Sequence, residues 1–167
     1  MVEPILIDEK AGVKYSIDVP RWCSDERNPL SISGLQGITE CQIDKKERSI
    51  WRYRSAFPKN ISTKVSLGEG CTPLINMEFG GYNALFKLEW FAPTGSFKDR
   101  GASIMMSLLK HQNINEVVED SSGNGGAAIA AYGAAAEIKV NIVAPELSLI
   151  HISEPTRQRQ SRMPACA

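Results

Sequence analysis

The chain has 167 residues, 43% hydrophobic and 23% charged, with 19 basic and 19 acidic side chains and zero formal net charge. That composition belongs to a globular protein with a sizeable core, and its charge balance argues against a nucleic-acid or anionic-membrane partner. No apolar run is long enough to span a bilayer, and Met1-Val2-Glu3-Pro4 is acidic where a targeting segment would be basic, so the expected compartment is the cytoplasm.

Residues 1–60 read as a small β-rich element of short strands and turns. Ile5–Ile7 and Lys14–Val19 are strand-like, while Lys10-Ala11-Gly12 and Asn28-Pro29 are turn-like. Ser49–Pro58 reads as a short helical segment ended by its proline. The cysteines, Cys23, Cys41, Cys71 and Cys166, form no C-x-x-C pair. Free thiols are expected rather than a disulfide framework. A structural zinc needs four ligands at fitting spacings, so no metal is expected.

Ser66-Leu67-Gly68-Glu69-Gly70-Cys71-Thr72-Pro73-Leu74-Ile75 places two glycines and a proline around one acid, the mark of a tight loop. Gly80-Gly81 is a turn. Ala84–Trp90 follows as a strand in which Leu85, Lys87 and Glu89 alternate with Phe86, Leu88 and Trp90. A helix is expected from about Phe97 to Gln112, with Gly101, Ile104, Met105, Leu108 and Leu109 on its apolar face and Ser96 as its cap. Lys98 then falls in the first turn, at the positive end of the helix dipole. This is a poor place for a structural cation. It suits an amine that must be partly neutral, because positive potential and burial both disfavour the ammonium. A neutral lysine is the nucleophile that attacks an aldehyde cofactor. In isolation, a Lys-Asp pair reads equally as solvated surface.

Beyond that helix, Glu116–Glu119 is a strand, Asp120–Gly126 a glycine-rich loop, Ala127–Ala136 a small-residue helix and Ile138–Val143 a second strand. Strand, loop, helix, strand is a βαβ unit, which implies a parallel sheet with a right-handed crossover. Ligands of such sheets bind beyond the carboxyl ends of the strands, where Ser121–Gly126 lies. Its N–H groups and hydroxyls suit an anion. The loop is not G-x-G-x-x-G, so a dinucleotide site is poorly supported.

Three motifs carry a family resemblance. Pro93-Thr94-Gly95-Ser96-Phe97-Lys98-Asp99-Arg100-Gly101 resembles, at all nine positions, the cofactor-lysine motif of threonine synthases, within the tryptophan synthase β-like group of pyridoxal-phosphate (PLP) enzymes. Leu67-Gly68-Glu69-Gly70-Cys71-Thr72-Pro73-Leu74 resembles their L-G-E-G-x-T-P-L loop at the active-site edge. Ammonia-lyases and cysteine synthases, the alternative relatives, usually lack that glycine-glutamate lead-in. Ser121-Ser122-Gly123-Asn124 resembles their S-S-G-N loop, although Gly125 and Gly126 replace commoner small side chains. Trp22-Cys23 with Leu30-Ser31-Ile32 resembles the family's N-terminal element, without the cysteine pairs that bind zinc in some members.

The resemblance implies a PLP-dependent α/β fold and a lyase that turns O-phosphohomoserine and water into threonine and phosphate. It implies that Lys98 holds pyridoxal 5′-phosphate and moves protons at the substrate carbons. Ser121, Ser122, Gly123 and Asn124 would take the carboxylate of an amino-acid substrate, Asn124 also the cofactor's ring hydroxyl, and Thr72 would contribute to substrate binding. A full-length protein would be a homodimer. A non-catalytic homologue keeping the fold is the reading from another class.

Residues 61–146 are thus expected to be the first part of the catalytic core. The family's phosphate loop and the partner of the pyridine nitrogen come later in the chain, so a fragment with exposed apolar patches and no activity of its own is expected. From Leu147 the sequence L-S-L-I-H-I-S-E-P-T-R resembles a translated sequencing-library adapter, and 147–167 is set aside as a non-native tail. His111 is then the only histidine, which weakens any Ser-His, Cys-His or histidine-metal mechanism.

Overall fold

The computed structural model describes residues 4–35, 37–58, 61–121 and 123–144. The expected tail at 147–167 lies outside them, as does Ser122.

Strands β1 (Ile5–Asp8), β2 (Val13–Ser16) and β3 (Ser31–Ser33) form an antiparallel sheet in the order β2-β1-β3. Its β1–β2 turn is fixed by buried Asp8, whose carboxylate accepts the Lys10 and Ala11 amides at 3.0 and 3.1 Å. Ile50–Ala56 is helical as expected, but as a 3₁₀ segment capped by Ser49. Its Trp51 is buried and donates its indole N–H to Ser103 at 2.9 Å.

The expected strand at Ala84–Trp90 is shifted and has a partner that the sequence reading left in a loop. Strands β4 (Leu74–Phe79) and β5 (Tyr82–Lys87) pair as an antiparallel hairpin across Gly80-Gly81, both at positive φ. The strand stops at Lys87, and Glu89–Phe91 turns as a 3₁₀ segment. That turn carries Glu89 onto Arg100.

Helix α1 (Lys98–His111) packs against α2 (Asn124–Ala136), and α2 crosses between the parallel strands β6 (Glu116–Asp120) and β7 (Lys139–Val143). The α/β βαβ unit stands where the sequence placed it, with α2 starting three residues earlier than Ala127. Small residues let helix and sheet close up: a Cβ on Gly133 would lie 2.2 Å from Val140. The core holds Val65, Ala102, Met106, Ala128, Ile129, Tyr132, Ala136 and Ile138.

The buried face of α1 differs from expectation. Asp99, Ala102, Ser103, Met106 and Ser107 are buried, whereas Gly101 and Met105 are exposed and Ile104, Leu108 and Leu109 only half-buried. The serines go inside because each finds partners. Ser103 accepts from Trp51 and donates to the Val65 carbonyl at 2.7 Å. Ser107 accepts the Val65 amide at 2.9 Å and donates to the Ser103 carbonyl at 2.7 Å. A buried hydroxyl so satisfied carries little penalty.

Candidate active site

Each residue of the lysine motif has a local task. Gly95 sits at φ 79°, a left-handed conformation that favours glycine, and its N–H closes a turn onto the Ala92 carbonyl at 2.8 Å. Asp99, fully buried, accepts the Thr94 amide at 2.7 Å and the Thr94 hydroxyl, pinning the turn to the helix. The helix starts one residue later than expected, at Lys98 with Phe97 at its N-cap; Ser96, the expected cap, lies one residue further out, where its hydroxyl accepts the Lys98 amide at 3.1 Å and its carbonyl the Asp99 amide at 3.3 Å. Together these fix the first turn of α1 and leave the Lys98 side chain outside it.

Lys98 is exposed, so the desolvation expected from the sequence is not present. Its Nζ lies 4.7 Å from the centroid of the Phe97 ring, a cation–π distance. Gly101, one turn on and on the same helix face, is exposed, and a Cβ there would meet nothing within 4 Å.

The second part of the site is the entrance to α2. Ser121 hydroxyl accepts the Gly126 amide at 2.8 Å and lies 3.5 Å from the Gly123 amide. A hydroxyl that accepts still has its own proton to donate. A Cβ on Gly125 would come within 2.9 Å of the Ser121 Oγ, and one on Gly126 within 3.4 Å of its Cβ. The Ser121 side chain fills the room a side chain would need at Gly125; at Gly126 the tightest neighbour is Ile142, 3.3 Å away. Asn124, the first residue of α2, is exposed, and Gly123 has open space at its Cβ position.

The two helices bring these parts together. Lys110 in the last turn of α1 donates to the carbonyl of Ala136, the last residue of α2, at 2.8 Å. The helix C-termini therefore meet, and the first turns, with Lys98 and Asn124, lie toward the other end of the pair.

Thr72 lies elsewhere than a free ligand would. It is buried, its hydroxyl donates to Glu89 at 2.7 Å, and it accepts from Arg100 at 3.2 Å. Arg100 grips Glu89 with two further bonds of 2.9 Å. The Arg100 hydrogen bonds, aided by Thr72, outweigh desolvation and hold the Glu89 carboxyl at about 2. The Arg100–Glu89 pair and the bond between buried Glu69 and Tyr132 are not legible in the sequence, which marks Glu69 only as the acid of a tight loop. A glutamate between two glycines, and a lone tyrosine in an alanine-rich helix, were the signals for Glu69 and Tyr132.

The open space beside Lys98 and the glycine-built entrance of α2 fit an aldehyde cofactor and an anionic ligand: a primary amine with room around it, and hydroxyl and amide donors at the same end of the helix pair. Among the described residues no three His, Cys, Asp or Glu side chains cluster as metal ligands. No helix among them is long and apolar enough to cross a membrane.

Residues 65–163 match the sequence profile of the family described as pyridoxal-phosphate dependent enzyme. The chain is 40% identical over 108 residues to a threonine synthase of Halalkalibacterium halodurans, covering 59% of this chain and 30% of that protein. It is 36% identical over 115 residues to a threonine synthase of Methanocaldococcus jannaschii, covering 65% of this chain and 28% of the relative. Against one of Methanosarcina acetivorans it is 36% identical over 147 residues, 81% of this chain and 36% of the other. The chain thus spans about a third of the length of these relatives.

Proposed function

The chain belongs to the family of pyridoxal-phosphate dependent enzymes, and from that premise we propose that it supplies the lysine and the carboxylate-binding loop of a threonine synthase-type lyase. The observation that carries this reading is the pairing of α1 and α2 through their last turns, which leaves the exposed Lys98 and the Ser121–Asn124 entrance toward the same end.

Pyridoxal 5′-phosphate supplies an electron sink for charge that develops on the substrate carbons. Lys98 would hold it through Nζ, in the space that Gly101 leaves open. Asn124 would hydrogen-bond a ring hydroxyl. Ser121, whose hydroxyl donates to none of the described residues, and the amide of Gly123 would be the donors for the substrate carboxylate; Ser122 completes that set in sequence. When its Nζ is free of the cofactor, Lys98 carries protons between the substrate carbons, as a general base that becomes a general acid. The reaction proposed for the whole polypeptide is O-phospho-L-homoserine plus water to L-threonine plus phosphate.

The test is to express the complete polypeptide that carries this chain, supply the cofactor, and follow phosphate and threonine release from O-phosphohomoserine. Threonine and serine are offered in parallel, with 2-oxo acid as the readout. Phosphate with threonine supports the reading; 2-oxo acid alone would move the protein to an ammonia-lyase. Lys98→Ala is expected to cut turnover by about 10²–10⁴-fold through loss of the proton carrier.

A further inference from the structure

Loop 66–72 touches both helices of the site. At Glu69 it is held against α2. The Glu69 carboxyl is fully buried and accepts from the Ser66 hydroxyl at 3.0 and 3.1 Å, the Leu67 amide at 3.0 Å and the Tyr132 hydroxyl at 2.8 Å. Tyr132 is also fully buried. Burial first, then its bond to Glu69, push its ionisation upward, so it stays a neutral donor. These donors are all uncharged, and a buried acceptor that loses one bears the full desolvation cost.

Three residues on, the loop is held against α1. The Thr72 hydroxyl is committed in both directions, to Glu89 and from Arg100, and Arg100 stands two positions after Lys98. Between these ends the backbone has little room. The Glu69 carbonyl accepts the Ile50 amide at 2.7 Å, and a Cβ on Gly70 would lie 2.8 Å from that same nitrogen. Gly68, Gly70 and Cys71 are at φ 93°, 114° and 46°.

We propose that loop 66–72 is a rigid strut that sets the spacing between the lysine turn of α1 and the third turn of α2, and through that helix the placing of its entrance, with Glu69 and Tyr132 as positioning residues at one end and Thr72 at the other. A ligand gripped by both helix entrances needs them fixed to within about 0.5 Å. The strut takes its functional meaning from the proposed site, but its mechanical coupling can be measured without any cofactor. Thr72 then acts through Arg100 and Glu89 rather than by touching substrate.

Cys71, inside the strut, is the reporter. Its Sγ accepts an N–H of Arg52 at 3.0 Å and is only partly accessible. Iodoacetamide alkylation of the complete polypeptide that carries this chain, read by peptide mass mapping, compares Cys71 with exposed Cys41 as reference and with Cys23 as a monitor of global unfolding. Tyr132→Phe is expected to raise the Cys71-to-Cys41 rate ratio about tenfold, through local opening after loss of a buried hydrogen bond. Thr72→Val is expected to raise it several-fold. The double variant should react no faster than the faster single, because a rigid strut is freed by releasing either end. A double-variant effect equal to the product of the singles overturns the proposal, as do singles that leave Cys71 at the wild-type rate. Should circular dichroism show that Tyr132→Phe does not fold, Glu69→Gln, of nearly the same size, takes its place. A separate arm treats the wild-type complete polypeptide with pyridoxal 5′-phosphate and borohydride and maps the modified lysines. Absence of any preference for Lys98 there, with the cysteine coupling intact, sinks the site reading and leaves the strut standing.

Discussion

Where α1 meets α2 and loop 66–72, Glu69, Asp99, Ser103 and Ser107 are all 0% exposed; on the β4–β5 hairpin, Phe79, Tyr82 and Leu85 are 71%, 77% and 67% exposed. By hydropathy alone these positions would be exchanged. The polar groups are inside because each has its partners: Thr94 for Asp99, Tyr132 for Glu69, and Trp51 and Val65 for the serines. On the hairpin, the register puts Ile75, Met77 and Phe79 opposite Phe86, Ala84 and Tyr82, an apolar face. Phe79 and Phe86 stack edge to face across it, 6.0 Å between centroids. Among the described residues this face is left largely in solvent. Burial in this chain follows available partners, polar or apolar, more closely than residue type.

The comparison can be sharpened by substitution. Met106→Ala, at a fully buried site between the helices, is expected to destabilise the chain by about 2–5 kcal/mol, from lost transfer energy plus a cavity. Urea denaturation would show it as a lower midpoint with unchanged slope. Ser107→Ala should cost about 1–3 kcal/mol by the same measurement, although it removes only one oxygen, because the Val65 amide loses its acceptor. A neutral result there would mean that the polar interior contributes nothing to stability.

A smaller effect is expected from acid. The folded Glu89 carboxyl lies at about 2, below its ordinary 4.5, with the Arg100 hydrogen bonds as the leading cause. A depressed carboxyl contributes stability that is complete above pH 4.5 and is lost as pH falls toward 2. Arg100→Gln removes the cause. The stability gap between wild type and this variant should therefore be widest above about pH 5 and close toward pH 2. A gap independent of pH would show that the pair does not act through Glu89. Smallest of all, Phe79→Ser on the exposed hairpin should change the unfolding free energy by no more than about 0.5 kcal/mol. A loss as large as that of Met106→Ala would mean that the hairpin face is covered after all.

Much of the site's local geometry was legible in the sequence. Gly80-Gly81 marks a turn because both residues take φ values that suit glycine, Ser96 stands just ahead of a helix because a hydroxyl can accept a first-turn amide, and the βαβ unit follows from a glycine-rich loop between two strand patterns. The register of α1 was misread for a related reason: Ile104, Met105 and Leu108 are apolar, and apolar periodicity is the signal a lone helix offers. Ser103 and Ser107 displaced them from the interior by bonding to Trp51 and Val65, residues 52 and 42 positions away. The pattern within α1 says nothing of those partners.

The amino-acid sequence by itself determined where the chain turns and which residues stand at the helix entrances, since both depend on residues a few positions apart. Lys98 in a first turn, and Ser121 to Asn124 at a helix entrance, are local facts. Only the tertiary structure decided that Thr72 is spoken for by Glu89 and Arg100, that Lys98 is exposed, and that Glu69 and Tyr132, 63 residues apart, are bonded in the interior. The physical reason is that a buried polar group is stabilised by its partners, and those partners are brought to it by packing rather than by sequence proximity.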